Sequence, residues 1–376
     1  MAIFFWICVL LVAYPYAIYP LILIVATRLM GRGEHVAGVS HEPTLTIILP
    51  VHNEANRIAS KVRNLLELDY PRDKLQILVI GDACTDDTLN RAKAAGGGIV
   101  EVVPLKTRAG KAAGLNAGLE RATGEVLVFT DAGIILERQS LRRLVAHFSD
   151  PAVGCVSGED YIEGADSEGL YGRLELLLRR EEAKLHSIAG ASGCFYAQRR
   201  TLCKPFKAGM APDFLSVLVT VRSGARALAE PAARGAMTAT SSQSAEFTRK
   251  VRTFLRGITA LFGNVALLNP LAFPGFSFIL WSHKLMRWLA PLPMMGCIVA
   301  ALFLKHEPLY YWLLIAQLAL YASAIAGLLW PQLAARLSVI RLSAFFVLVN
   351  VAALKALALW LTGTRLEVWQ PTRRPE

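Results

Sequence analysis

The sequence predicts an α/β domain on a parallel sheet, set between α-helical membrane-spanning segments. Three observations carry this reading. Apolar residues make up 54% of the 376-residue chain and charged residues 18%, against about 25% charged in soluble domains. Long apolar runs are confined to the two ends of the chain. Between them, from residue 44, short apolar strands alternate with segments of helical spacing. With a mean hydropathy of +0.41, the composition excludes a disordered, collagenous or coiled-coil chain and a wholly soluble enzyme. The length suits about two domains.

Residues 2–27 carry no charge, and about 20 apolar residues suffice to cross a bilayer as helix. A basic leader region and an A-x-A site are both missing, so 1–30 is read as an anchoring helix and not a removable signal. Arg28 and Arg32 follow and favour the cytoplasmic side for the next segment. A domain spanning 40–265 comes next. Residues 44–51 (TLTIILPV) read as a buried strand, 54–67 as a helix with Ile58, Val62, Leu65 and Leu66 on one face, and 76–80 (QILVI) as a strand. A helix at 86–95, a strand at 99–103, a helix at 110–122 and a strand at 125–130 (EVLVFT) complete the alternation. Strands buried on both faces and separated by helices imply parallel pairing. Residues 270–290 mix apolar residues with His283, Lys284 and Arg287 and read as an amphipathic helix in the interface. Three apolar runs within 286–362 (286–304, 309–330 and 342–362) read as spans, the first kinked by Pro291 and Pro293, with a tail at 363–376. All seven tryptophans (Trp6, Trp281, Trp288, Trp312, Trp330, Trp360 and Trp369) lie in or beside these end segments and none in the central domain, as headgroup-level anchoring favours. One span before the domain and three after would put Arg365, Arg373 and Arg374 outside, against the positive-inside preference, so the side of the C-terminus stays open.

The net charge of +11 is spread along the chain. It fits flanking of membrane spans and attraction to anionic lipid, and lacks the basic, aromatic-interleaved stripe of a nucleic-acid binder. Six scattered cysteines with no C-x-x-C pair argue against a disulfide framework or zinc site and for a reducing compartment.

In an open parallel sheet, ligands bind beyond the carboxyl ends of the strands. His52, Asn53 and Glu54 follow the first strand; Asp82, Asp86 and Asp87 the second; Lys106, Arg108, Gly110 and Lys111 the third; Asp131 the fourth. One acid after a strand is ordinarily a helix cap, but charged groups from four loops on one edge point to a ligand. Carboxylates suit ribose hydroxyls, base N–H groups and a divalent cation, while Arg108 and Lys111 suit a diphosphate. The chemistry implied is that of a nucleotide-sugar with a metal. Neither G-x-G-x-x-G nor the P-loop pattern occurs, and 82–88 (DACTDDT) lacks calcium-loop spacing.

These blocks resemble glycosyltransferase family 2, and within it the membrane-embedded synthases of cellulose, chitin, hyaluronan and poly-N-acetylglucosamine. PVHNEANRI (50–58), GDACTDDT (81–88), RAGKAAGLNAG (108–118), FTDAG (129–133), GASGCFYAQRR (190–200), APDF (211–214) and RKVRTFLRG (249–257) follow the family's order. The resemblance implies a GT-A fold, a Rossmann-like parallel or mixed sheet with flanking helices. It implies that Glu54 and Asp82 hold the nucleoside, Lys111 the diphosphate, and Asp131 ribose or a Mg²⁺ or Mn²⁺ ion, with Asp213 as general base and Arg252 the retained arginine of the Q-x-x-R-W motif. The implied activity is inverting transfer from a nucleotide-sugar, a UDP-sugar for preference, to a lipid-linked or saccharide acceptor. The implied setting is the inner membrane, with the catalytic domain cytoplasmic and partners in envelope polysaccharide assembly. Two departures matter. Gly133 replaces the second acid of the family's D-x-D, and Thr253 replaces the stacking tryptophan. With no tryptophan elsewhere in the central domain, the second points to a single addition over processive synthesis. Together they also motivate an alternative, a catalytically impaired scaffold or regulatory subunit. A transporter fits less well, because the functional pattern lies outside the spans.

Other residues take structural readings. His52 is assigned to packing or nucleotide contact. Tyr171, Glu175, Arg179, Arg180, Glu181 and Glu182, on a helix at 168–186, read as a solvated face. Glu159 and Asp160 end a strand, and Asp213 alone would pass for a helix N-cap. Lys355, inside the last span, reads as snorkelling to the interface.

Overall fold

The computed structural model describes residues 1–31, 41–162, 169–237 and 243–365. Arg32, Trp369, Arg373 and Arg374 lie outside the described residues. An apolar helix α1 (Ala2–Met30) leads into the α/β domain. There β1 (Leu45–Val51), α2 (Ala55–Leu66), β2 (Leu75–Asp82), α3 (Thr88–Gly96), β3 (Val100–Leu105), α4 (Lys111–Arg121), β4 (Val126–Thr130), β5 (Ile134–Leu136) and α5 (Ser140–Ala146) follow in turn. The second half adds β6 (Val153–Ile162), α6 (Gly169–Leu185), β7 (Phe195–Arg199), α7 (Pro212–Arg222), β8 (Arg226–Met237) and α8 (Gln243–Phe262).

The eight strands form one sheet in the order β3-β2-β1-β4-β7-β6-β8-β5. Pairing among β3, β2, β1 and β4 is parallel, whereas β7 runs antiparallel to both β4 and β6. The sheet is therefore mixed, with its parallel half where the strand–helix alternation predicts it. Register explains the continuous apolar strands. Ile47 pairs with Ile77 and Val128 and packs into one core, while Ile48 pairs with Leu78 and Phe129 and packs into the other. Burial on both faces leaves no polar alternation to read.

After α8 come α9 (Pro274–Leu289), α10 (Pro291–Phe303), α11 (Pro308–Leu329), α12 (Pro331–Arg336) and α13 (Ser338–Leu361). Helices α1, α11 and α13 are long and apolar enough to cross a membrane; α9 and α10 meet at a 53° bend and together form a fourth, broken candidate. The break falls where Pro291 removes an N–H from the helical ladder. Lys355 on α13 is exposed, its ammonium 5.5 Å from the Phe247 ring of α8.

The amphipathic segment does not turn its polar residues to water as the sequence suggests. His283 is fully buried and Arg287 nearly so, both against α6. The solvated face expected for α6 is likewise absent at Glu182, which is fully buried. His283, Glu182 and the Arg287 Nη1 each find a partner on a distant helix, which makes their burial tolerable.

Where α4 returns to the sheet the chain passes close to β1. A Cβ on Gly124 would stand 2.5 Å from the carbonyl carbon of Leu45 and the nitrogen of Thr46. Backbone cannot yield as a side chain does, so Gly124→Ala is expected to cost about 1–3 kcal/mol, the range for overpacked cores, measured as a fall in Tm.

Candidate active site

One carboxylate organises the loop between β3 and α4. Asp82, buried at the end of β2, accepts the backbone N–H of Ala109 at Oδ1 and that of Gly110 at Oδ2, both at 2.8 Å. Gly110 sits at φ +84°, a left-handed conformation suited to glycine, and α4 starts at the next residue. Lys111 is thereby aimed across the strand ends. Its ammonium donates to Asp131 Oδ1 at 2.6 Å and to the Gly193 carbonyl at 3.1 Å. Burial opposes that charge, but Asp131, Cys194 and Asp213 together outweigh it and the ammonium is held above its usual range.

Asp213 stands on the far side of Gly193, whose Cβ position lies 3.9 Å from Asp213 Oδ2. It is the second residue of α7, whose N-cap is Ala211, so it is not itself the N-cap. Burial raises its carboxyl above the ordinary value, and Lys111, Arg179 and Lys284 moderate the rise. Arg252 and Arg256 come from α8. Burial and the neighbouring Arg252 bring the Arg256 guanidinium down to about 10, against the pull of Asp213.

Glu54, Lys111, Asp131, Asp213 and Arg252 line one cavity of about 400 Å³. Asp82 and Arg108 do not line it. Asp82 acts through the loop it holds, and Arg108 is exposed. Asp86 accepts the N–H groups of Ala55 and Thr88, tying together the starts of α2 and α3, and Asp87 pairs with Arg91. His52 Nδ1 is hydrogen-bonded to the Asp82 carbonyl at 2.6 Å, which ties the end of β1 to the end of β2. Glu159 forms a two-pronged pair with Arg180, while Asp160 accepts from Ser192 and borders the cavity.

The donor set does not fit a protein-built divalent metal centre. Gly133 contributes no side-chain ligand atom and Asp131 Oδ1 is taken by Lys111. No group of three His, Cys, Asp or Glu side chains among the described residues is placed to hold an ion.

Some features gave no signal in the sequence. Lys61 of α2 is fully buried and donates to Thr130 Oγ1 at 3.0 Å and the Ile134 carbonyl at 2.7 Å, gripping both sides of the 131–133 turn. Burial brings its ammonium down to about 7, opposed by Asp131. Trp288 of α9 also lines the cavity, edge-on to Phe214 at 6.3 Å. An indole from outside the α/β domain therefore also lines the cavity, largely buried against Phe214.

Residues 46–205 match the family model for glycosyl transferase family 2. The chain carries a family 2 glycosyltransferase domain. Over 161 residues it is 26% identical to glycosyltransferase AglE of Haloferax volcanii, covering 42% of this chain and 53% of that protein. It is 26% identical over 161 residues to the poly-beta-1,6-N-acetyl-D-glucosamine synthase of Staphylococcus aureus, covering 40% of this chain and 38% of the synthase. The chain thus spans about half the length, or less, of the curated relatives it matches. A mannosyltransferase of Pyrobaculum calidifontis, solved with GDP-Man and Mn²⁺, superimposes with a TM-score of 0.75 at 24% identity, covering 96% of this chain and all of that one. That likeness establishes the GT-A fold, including its mixed sheet.

Asp82→Asn would set an amide against the loop N–H groups. Loss of a buried charged hydrogen bond costs about 1–3 kcal/mol. The expected result is faster amide exchange at Ala109 and Gly110, read by hydrogen–deuterium exchange, with the sheet strands unchanged.

Proposed function

We propose that the chain is a membrane-bound inverting glycosyltransferase moving a sugar from a nucleotide-sugar, UDP-linked for preference, to a lipid-linked or saccharide acceptor. The observation carrying this is the position of Asp213. A carboxylate raised by burial faces the Lys111–Asp131 pair across Gly193, in a cavity open to both the strand ends and the apolar helices. In this reading Glu54 and the Asp82-held loop receive the nucleoside, and Asp131 the ribose. The acceptor oxygen attacks the sugar C1 while Asp213 takes its proton. The bond from C1 to the diphosphate oxygen breaks, the electron pair leaves with the diphosphate, and Lys111 and Arg252 offset its charge. Attack opposite the leaving group inverts the anomeric centre. The setting that suits these chemistries is the cytoplasmic face of the inner membrane, in envelope polysaccharide synthesis. With Thr253 in place of a stacking tryptophan, and Trp288 largely buried against Phe214, the reading is of a single addition per acceptor.

Gly133 and the closed Lys111–Asp131 pair favour one alternative, a domain that binds nucleotide without turnover. Nucleoside diphosphate release decides between them. The protein in nanodiscs with native lipid extract is offered a panel of UDP-sugars, with and without Mg²⁺ or Mn²⁺. Turnover is expected to fall about 10²–10⁴-fold in Asp213→Asn, the usual contribution of a general base. Binding of UDP with no turnover of any donor would select the scaffold.

The pH profile follows from the same carboxylate. Only ionised Asp213 accepts a proton, so kcat falls as pH drops through its pKa, and burial places that limb above an ordinary aspartate. Lys284→Gln removes a cation that favours the ionised form and is expected to move the limb to still higher pH.

A further inference from the structure

Beyond Asp213 the cavity has a second wall, built by α6 and α9, which the proposed donor chemistry does not use. Three permanent cations there converge on one carboxylate of the wall, and two of them, Arg179 and Lys284, also act on Asp213. Glu175 lies 2.7 Å from Arg287, 3.4 Å from Lys284 and 3.7 Å from Arg179. Of the other acids on α6, Glu181 pairs with Lys184, and Glu182 is engaged by the Tyr19 hydroxyl, the Ala189 N–H and His283. Among the described residues the wall therefore carries surplus positive charge in a half-buried setting, which is costly without a counter-ion. The donors are also incompletely used. Arg287 is 7% exposed, yet its Nε and Nη2 find no hydrogen-bond partner among the described residues, nor does Arg179 Nε. The Arg287 guanidinium lies 4.9 Å from the Tyr171 ring, which fixes its plane.

The surroundings define the rest of the ligand. Tyr16 of α1 and Val349 and Ala353 of α13 line the same cavity. All belong to helices long and apolar enough to cross a membrane. An anion seated on the arginines would thus have an apolar passage beside it and Asp213 in front of it.

We propose that Arg287, Arg179 and Lys284 bind the phosphate or diphosphate of a lipid-linked acceptor, whose tail leaves between α1 and α13. This rests on the transferase reading and names its acceptor class. The guanidinium edges match phosphate oxygens in geometry and charge. Holding the phosphate there presents the acceptor hydroxyl to Asp213 from the side opposite the nucleotide. A diphosphate on the donor side meets Lys111 instead, so the two anions have separate seats.

Farnesyl diphosphate is the probe, with farnesol and inorganic pyrophosphate as its two halves. Binding is measured by calorimetry on the full chain in phosphatidylcholine nanodiscs, with UDP saturating the donor site. The expected result is tighter binding of farnesyl diphosphate than of either half, weakened at least tenfold in Arg287→Gln and in Arg179→Gln, with UDP affinity unchanged within twofold. Unchanged probe binding in both variants would overturn the assignment, as would equal binding of farnesol. If phosphatidylglycerol in the disc displaces the probe as effectively, the wall holds bilayer phospholipid and not acceptor. Should Arg287→Gln fail to fold, Arg179→Gln carries the test, because its side chain meets Glu175 only at 3.7 Å. The transferase reading fails separately, by absence of donor turnover in the unaltered protein while probe binding remains measurable.

Discussion

The molecule turns on a buried knot of charge. His283 Nδ1 lies 2.6 Å from Glu182 Oε1 and its Nε2 lies 3.0 Å from Glu175, with the Tyr19 hydroxyl donating to the same Glu182 oxygen. Three helices remote in sequence, α1, α6 and α9, meet at these few atoms. Burying charge is tolerable only when every group is partnered, and removing one partner typically costs about 3–5 kcal/mol. The knot therefore admits one docking geometry. It holds the apolar helices over the carboxyl ends of the strands, and the cavity is the space left between them.

Within that cavity the two halves of the chain divide the work. The α/β domain shapes the side at the strand ends, where the proposed nucleotide would sit. Asp82 spends its carboxylate on two backbone N–H groups, and the consequence appears at Lys111, whose ammonium bridges Asp131 and Gly193. Lys61 braces the same turn from below. The α6–α9 wall shapes the opposite side with surplus positive charge. Asp213 stands between and feels cations from both, Lys111 on one hand and Arg179 and Lys284 on the other. A buried acid needs such neighbours to stay ionised near neutral pH, so the cations that would seat two anions also tune the proposed base.

The parallel half of the sheet was legible because its strands are continuous apolar runs and its helices carry a periodic face. Glu54, Lys111 and Asp131 were legible because ligands gather at strand ends, and Asp213 and Arg252 because their blocks resemble a family pattern. The α6–α9 wall was not. An i,i+4 charge pattern on a helix looks the same whether water or another charged helix faces it, and the partners of Glu175 lie more than a hundred residues away. Lys61 was hidden for a related reason, since a lysine among the polar positions of an amphipathic helix ordinarily reaches solvent. Trp288 was counted as a membrane anchor, whereas α9 swings it against Phe214. These misreadings share one cause: they depend on which elements meet, and local periodicity does not encode that.

The central claim is that one cavity joins a nucleotide-sugar to an acceptor arriving from the apolar helices. The most direct measurement is the destination of a labelled sugar. Membranes containing the protein are given a radiolabelled donor and extracted with chloroform and methanol. The account expects label in the organic phase, attached to lipid and released by mild acid, and far less of it with Asp213→Asn. Label found only in water-soluble polymer or as free sugar, with none on lipid, would contradict it.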